Sequence, residues 1–352
     1  MTILYIFLGI LLLGILITIH EFGHFMSARM LGIPVKEFAI GFGPHLFQWK
    51  SKKHDTLFSL RPIPFGGYCM YYGDTDDDPT GESADDPRNF NRACVWRRML
   101  CVFSGPLMNF VLAFVVAVAL MAAYGLTLTR PYIIDIEENM PAAAAGLQPG
   151  DVFLQVADVS PETGGVAAVI EAISADQNGS PIPILVERNG QEEAVQLTPV
   201  WDEDAETYRI GIMLSAVRPL YAGEIVPAAW RSCVFASHAI LDALGKMVTT
   251  GEGLQDAAGP IGVVQLVAEQ TRQGGLEIFL NLMVMISINL GLMNLLPIPG
   301  LDGSRIIFMA LEAIRRKPIS QRIESAVHLS GYALLLGLML FFTFRDVGRI
   351  FG

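Results

Sequence analysis

Four long runs without charged side chains constrain this chain more than any other feature of its sequence. A helix needs about 20 apolar residues to cross about 30 Å of hydrocarbon. The runs of this length are Met1–Ile19, whose apolar character continues to about Leu31, and then Met99–Thr129, Ile278–Leu301 and Ser325–Phe344, the last interrupted by His328. We therefore predict four membrane-spanning helices.

The composition supports a membrane protein. Hydrophobic residues make up 52% of the chain and charged residues 17%, whereas soluble proteins carry about 25% charged residues. A net charge of −11 argues against nucleic-acid binding, because phosphate recognition requires a basic surface. The four cysteines contain no CxxC pair, so we expect neither a disulfide framework nor a cysteine zinc site.

The loops between the runs predict the topology. The first run starts without Lys or Arg and lacks a small-residue cleavage site, so it is interpreted as a retained helix rather than a signal peptide. Residues 29–98 hold 10 Lys and Arg and residues 297–328 hold 5, whereas residues 125–277 hold 7 against 21 acids. The positive-inside rule then assigns the two basic loops to the cytoplasm and the long acidic segment to the outside.

The long outer segment has the pattern of a folded domain. Short β-type runs separated by turn signals, including a hairpin signal at Asn189-Gly190, occur at Tyr132–Ile136, Val152–Val156, Ile182–Val186 and Val195–Leu197. Short helices are predicted at 142–147 and 167–174. The sequence Asn139-x-Pro141, followed by Ala145-Gly146-Leu147-x-x-Gly150-Asp151, resembles the PDZ domains of bacterial membrane and periplasmic proteases. Since PDZ domains bind extended peptides at a sheet edge, the resemblance implies a peptide partner.

The most informative motif is His20-Glu21-Phe22-Gly23-His24, at the end of the first run. Residues i and i+4 lie on one face of a helix, so both imidazoles can bind one metal ion, and Glu21 can take a proton from its water. A charged residue in a spanning helix costs about 2.5 kcal/mol or more, which favours a polar cavity or a bound ligand. The alternative is that these polar residues are interfacial flanks of a helix ending near Ile19.

Asp302 is the leading candidate for a third metal ligand. A catalytic zinc uses three protein ligands and one open position. Asp302 follows the third charge-free run, which Pro297 and Pro299 terminate because proline breaks a helix. This places the carboxylate near the cytoplasmic end of the third span, at the depth of the two histidines. The alternative is a helix N-cap, with Gly303 and Ser304 starting the next helix.

These motifs together resemble the site-2 protease family of intramembrane zinc metallopeptidases, and within it the bacterial RseP-like members with a single PDZ domain. The resemblance extends through most of the chain. Besides the HExxH motif and Asn294-x-x-Pro297-x-Pro299-x-Leu301-Asp302-Gly303, the matching segments are Gly41-Phe42-Gly43-Pro44, Ile63–Tyr68, Ser104-Gly105-Pro106-x-x-Asn109 and Gly259-Pro260-Ile261-Gly262.

The family's architecture is the expected fold class. The resemblance implies a polytopic α-helical membrane protein with four transmembrane helices, a membrane-associated β-hairpin segment and an inserted extracytoplasmic α+β PDZ domain. The expected divisions are an N-terminal membrane half at 1–125, the PDZ domain at 130–216, an extracytoplasmic helical linker at 217–276 and a C-terminal membrane half at 277–352. The expected location is the bacterial inner membrane, with the active site toward the cytoplasm.

The resemblance implies a zinc ion held by His20, His24 and Asp302, with Glu21 as the group that activates the attacking water. Asn294 and Asn289 are expected to bind substrate or to stabilise the developing oxyanion. The alternative is that both asparagines form hydrogen bonds between helices inside the membrane.

A substrate helix must unwind before its peptide bonds can reach the metal. The glycine- and proline-rich segment from Phe38 to Tyr68 is expected to offer a sheet edge for the unwound strand, with Gly66, Gly67 and Tyr68 as the clamp. The alternative for this segment is an ordinary cytoplasmic loop. The acidic stretch from Asp74 to Asp86 is predicted to be a solvated loop.

The expected substrates are single-span membrane proteins in the lipid bilayer, such as anti-sigma factors or remnants of signal peptides. Two alternatives belong to other functional classes. One is a membrane-tethered PDZ scaffold with an inactive metal motif, for which Glu21→Gln would change nothing. The other is a metal transporter, which has no use for Glu21 or for a PDZ domain.

Overall fold

The computed structural model describes residues 2–53, 55–73, 86–175, 180–188, 190–203, 207–253, 258–317 and 319–351. The predicted acidic loop, apart from Asp86, and the predicted turn residue Asn189 lie outside these residues. The helices are α1 Thr2–Met30, α2 Val95–Tyr124, α3 Pro141–Ala144, α4 Gly165–Ser174, α5 Ala222–Thr249, α6 Pro260–Leu295, α7 Asp302–Arg315 and α8 Gln321–Phe351. The strands are β1 Val35–Phe42, β2 Phe47–Lys50, β3 Leu57–Leu60, β4 Ile63–Tyr71, β5 Leu126–Ile136, β6 Val152–Val156, β7 Ile182–Arg188, β8 Gln191–Leu197, β9 Val200–Asp202, β10 Thr207–Arg209 and β11 Ile212–Arg218.

The four predicted membrane helices are confirmed. The segments long and apolar enough to cross a membrane are Ile3–Met30 in α1, Val95–Tyr124 in α2, Pro260–Leu295 in α6 and Ile323–Gly348 in α8. The protein is therefore a multi-pass membrane protein with additional β segments.

Three helix ends differ from the charge-free runs. Gly125 has a φ of 80°, which ends α2, so residues 126–129 enter β5 instead of extending the second span. The helix α6 stops at Leu295 because Pro297 and Pro299 cannot continue it. At its other end α6 begins at Pro260, and Gly275 (φ 63°) divides it into two helical parts.

By its internal packing the chain divides into two compact units, residues 1–120 with 229–352, and residues 121–228. In the first unit, α1 packs against α6 through Leu12 and Leu16, which are fully buried against Val267, Phe279 and Met283. Between α1 and α2 the backbones approach closely, since a Cβ on Gly23 would lie 2.3 Å from the carbonyl oxygen of Ser104. Small residues at such a crossing are typical of packed membrane helices.

The segment after α1 folds into a four-stranded sheet with the order β2-β3-β1-β4. In this sheet β1 is parallel to β3 and antiparallel to β4, and β2 is antiparallel to β3. Aromatic rings of Phe25, Phe38 and Phe58 pack together between α1 and the sheet. The expected β segment is therefore larger than one hairpin, and β4 lies at its edge.

The second unit contains a five-stranded antiparallel sheet with the order β11-β5-β6-β7-β8. Its core includes Ile133, Phe153 and Val186 from the sheet and Val169 from α4. The strands β7 and β8 form the predicted hairpin, with Arg188 opposite Gln191. The strands β9, β10 and β11 were not predicted from the sequence.

Candidate metal centre

His20 and His24 lie one turn apart on α1, and both side chains are buried. Because i and i+4 side chains share a helix face, the two rings point the same way. Their Nε2 atoms are 3.3 Å apart. The helix continues past both residues to Met30, so the interfacial alternative of a helix ending near Ile19 does not hold.

Asp302, the first residue of α7, lies against the same two imidazoles. Its Oδ2 lies 3.1 Å from Nε2 of His20 and 3.4 Å from Nε2 of His24. The turn after α6 can bring it there because Gly303 has no side chain, and a Cβ at that position would lie 2.3 Å from the carbonyl oxygen of Leu295. The N-cap position of α7 is occupied by Leu301, and within the described part of the chain no side chain caps the helix. The structure thus places the Asp302 carboxylate against the imidazoles and not in the N-cap role.

The three converging atoms fit a tetrahedral metal. Zinc bonds of about 2.0–2.2 Å at tetrahedral angles separate neighbouring ligand atoms by about 3.3–3.6 Å. The separations here are 3.1, 3.3 and 3.4 Å, which form one face of such a tetrahedron and leave the fourth position for water. Among the described residues, His20, His24 and Asp302 are the His, Cys, Asp or Glu side chains that converge closely enough to hold a metal ion.

The helix α2 fixes the ring of His24. The Nδ1 atom lies 3.1 Å from the carbonyl oxygen of Cys101. A carbonyl only accepts, so Nδ1 carries the hydrogen and Nε2 presents its lone pair to the other two groups. Gly105 makes room for the ring, because a Cβ there would lie 2.2 Å from Nε2.

The ring of His20 also contacts α2. Its Nδ1 is 3.1 Å from Nδ2 of Asn109, a residue with no exposed surface. The Ser104–Asn109 motif is part of the resemblance, but the sequence alone predicts no role for Cys101, Gly105 or Asn109. The signal available in the sequence was the pair of small residues in a spanning helix, which indicates a close helix contact.

A cavity of about 470 Å³ opens beside the three converging atoms. Its lining includes Glu21, Asn294, Gly67 and Tyr68. Asn289 does not line this cavity and is exposed on α6. Five residues along a helix correspond to a rotation of about 140°, so Asn289 and Asn294 face different directions. The structure therefore brings Asn294 to the site and leaves Asn289 away from it.

The edge strand β4 passes next to the proposed catalytic glutamate. A Cβ on Gly67 would lie 2.8 Å from the carbonyl oxygen of Ala39 and 3.3 Å from Cγ of Glu21. Gly66 has a φ of 144° and lies against the ring of Phe42. Gly67 thus allows the strand backbone to approach Glu21 closely, and Gly66 leaves room for the Phe42 ring.

A polar network supports Tyr68. The guanidinium of Arg61 lies over the Tyr68 ring and donates a hydrogen bond to its hydroxyl. Arg61 also donates to Glu37 at 3.0 Å, and Ser59 donates to the same carboxylate at 2.5 Å. Burial alone would raise the pKa of Glu37, but hydrogen bonds from Ser59, Arg61 and Tyr68 outweigh it and hold that pKa below its usual range.

Comparisons with known proteins indicate the family of this chain. The model of peptidase family M50 matches residues 8–338. A predicted zinc metalloprotease of Clostridium acetobutylicum is 32% identical over 342 residues, which cover 97% of each chain. One of Agrobacterium fabrum is 29% identical, covering 99% of this chain and 97% of its own. The zinc metalloprotease RasP of Oceanobacillus iheyensis is 28% identical, covering 97% of this chain and 98% of its own.

Proposed function

The chain belongs to peptidase family M50 and is a zinc metalloprotease, and we propose that it cleaves the transmembrane segments of single-span proteins inside the bilayer. The observation that carries the proposal is the position of the metal centre. Two of its three converging side chains lie within α1, a helix long and apolar enough to span a membrane. A metal centre within such a helix lies at the depth of the bilayer, so the peptide bonds that can reach it are those of membrane-embedded segments.

We assign the zinc ligands as His20, His24 and Asp302. When bound, zinc would lower the pKa of a coordinated water toward neutrality and polarise the scissile carbonyl. Glu21 lines the cavity beside the ligands and serves as the general base that takes the water's proton. The same carboxyl group then delivers a proton to the leaving amine.

Asn294 is the proposed binding group for the substrate carbonyl. It lies on α6 one turn before the Pro297–Pro299 segment and lines the same cavity as Glu21. Its amide N–H groups can donate to an oxygen that gains negative charge during the reaction. Asn289 has no part in this proposal because it lies outside the cavity.

The strand β4 is the proposed docking edge for the unwound substrate. A spanning helix hides its peptide groups in internal hydrogen bonds, whereas an added strand exposes its peptide carbonyls to the site. On the side away from β1, β4 has no strand neighbour among the described residues. Its residues Gly67 and Tyr68 line the cavity, and Gly66 directly precedes them in the strand, so a substrate paired with this edge by strand addition would pass close to Glu21.

The second unit is the proposed PDZ domain. Its helix α4 and the segment from β10 to β11 enclose a groove of about 350 Å³, lined by apolar side chains that include Ile170, Ile173 and Ile212. An apolar groove between a helix and a strand suits an extended peptide that pairs with the strand and inserts side chains toward the helix. We assign this groove to the trimmed tails of substrates.

The proposed location is the bacterial inner membrane, with the metal centre toward the cytoplasm and the PDZ domain outside. This assignment is supported by the distribution of Lys and Arg, since residues 29–98 hold 10 and residues 297–328 hold 5. The proposed substrates include anti-sigma factors and remnants of signal peptides, which share a single apolar span.

The test uses the full-length protein in liposomes with a panel of single-span substrates. Mass spectrometry of the products should place the scissile bond inside the apolar segment. A zinc chelator should abolish cleavage, and Glu21→Gln should lower it by about 100-fold or more while the protein keeps its zinc. Cleavage only outside the apolar segment, or full activity of Glu21→Gln, would refute the proposal and favour a scaffold or another protease mode.

A further inference from the structure

Asn109 is a buried polar residue that the reaction described above does not use. It lies on α2 with no exposed surface. Its Nδ2 is 3.1 Å from Nδ1 of His20, while its Oδ1 is buried and has no hydrogen-bond partner among the residues that the structure describes. Ser287 of α6 donates a hydrogen bond of 2.8 Å to the backbone carbonyl of Asn109. The residue is thus held between two helices, with its amide against a candidate metal ligand.

The chemistry of His20 determines which end of this amide must face it. A histidine that binds metal through Nε2 carries its hydrogen on Nδ1 and donates it to an acceptor. An amide nitrogen only donates, so Nδ2 opposite Nδ1 would force the hydrogen onto Nε2. That hydrogen would then point at His24 Nε2 and Asp302 Oδ2, where the metal belongs.

Turning the amide by 180° resolves the conflict. The amide oxygen and nitrogen have nearly the same shape, so Oδ1 can occupy the position 3.1 Å from Nδ1 of His20. The buried oxygen then gains a donor. His20 becomes the counterpart of His24, whose Nδ1–H already donates to the carbonyl of Cys101.

We propose that Asn109 is a positioning residue that accepts a hydrogen bond from Nδ1–H of His20 and so fixes the tautomer that binds zinc through Nε2. The inference rests on the proposed role of His20 as a ligand. The helix α2 would then orient both histidines of the HExxH motif, one through a backbone carbonyl and the other through a side-chain amide. Partners of this kind typically change metal affinity by about 10- to 100-fold when removed.

The test measures zinc affinity of the purified full-length protein by competition with a chromophoric chelator, independently of proteolysis. Asn109→Asp keeps an acceptor of the same shape, so its affinity should stay within about threefold of the wild type or increase. Asn109→Leu has similar bulk and no acceptor, so its affinity should fall about 10- to 100-fold. Ser287→Ala is the matched packing control and should stay within about threefold, because it leaves the amide facing His20.

A second readout is the visible absorption of the cobalt-loaded protein. The bands of Asn109→Asp should match the wild type, and those of Asn109→Leu should shift. If Asn109→Leu does not purify as a single species, Asn109→Ala replaces it, because alanine also removes the acceptor and lacks the bulk of leucine. The inference would be overturned if Asn109→Leu or Asn109→Ala bound zinc as tightly as the wild type. It would also be overturned if Asn109→Asp lost as much zinc affinity as these variants. His20→Ala separates the two proposals, since unchanged zinc affinity in that variant would refute the ligand assignment itself.

Discussion

Gly105 sits where α2 meets the metal centre, and replacing it with alanine tests the geometry most sharply. The added Cβ would lie 2.2 Å from Nε2 and 2.4 Å from Cε1 of His24. An ordinary contact begins at about 3.4 Å, so the ring must retreat by about 1.2 Å. A metal–ligand bond tolerates about 0.2 Å. We therefore expect Gly105→Ala to lower zinc affinity by about 100-fold, or about 2.8 kcal/mol.

The backbone of α2 should tolerate the same change. Alanine in a helix interior is favoured over glycine by about 0.5–1 kcal/mol, so loss of zinc would not reflect loss of the helix. Zinc content and chelator competition measure the effect, and thermal unfolding in detergent checks the fold. The matched control is Gly337→Ala in α8, where an added Cβ meets no described residue within 4 Å. A Gly105→Ala protein with wild-type zinc affinity would refute this account of His24.

Three further predictions concern the sheet and the second unit. Gly67→Ala should reduce cleavage of membrane substrates at least about tenfold without loss of zinc. The added Cβ would lie 2.8 Å from the Ala39 carbonyl oxygen and shift the edge strand on which the substrate docks. Unchanged cleavage would exclude β4 as the docking edge. Ile170→Arg should weaken binding of extended peptides to the full-length protein at least about tenfold, as measured by fluorescence anisotropy. Cleavage of a short single-span substrate should stay within about twofold of the wild type. Wild-type peptide binding in this variant would show that the α4 groove is not the peptide site. The pKa of Glu37 is lowered in the folded protein, so the ionised carboxylate stabilises the fold fully above the unfolded pKa of about 4.3, and this stabilisation is lost as the pH falls through the folded pKa. The difference in unfolding midpoint between wild type and Glu37→Gln should therefore be constant above about pH 5 and shrink below about pH 4. A difference in midpoint that widens in acid would contradict the network around Glu37.

The candidate ligands were predictable because their geometry is local. The spacing of His20 and His24 places both rings on one helix face whatever surrounds them. Pro297 and Pro299 mark the end of α6 just before Asp302 by the same kind of local rule. The convergence of Asp302 with the two histidines could be proposed from chain order and depth, whereas its distances required the fold.

The residues that support the site were not predictable in the same way. Cys101, Gly105 and Asn109 face His24 and His20 only because α1 and α2 pack in one particular register, and no local pattern encodes that register. Asn294 belonged to the matching motif and Asn289 did not, but both were candidates as polar residues of a span, and the orientation of α6 places only Asn294 at the cavity. The short strands β9 and β10 contain three residues each, too few for alternation to be seen.

The proposed function depends on one zinc ion held by His20, His24 and Asp302. Zinc K-edge absorption spectroscopy of the purified protein tests it directly. We expect one zinc per chain, nitrogen and oxygen ligands at about 2.0–2.2 Å with the signature of two imidazoles, and a changed ligand shell in Asp302→Ala. A sulfur ligand at about 2.3 Å, for which Cys69 at the cavity wall would be the source, or a spectrum unaltered in Asp302→Ala, would contradict it.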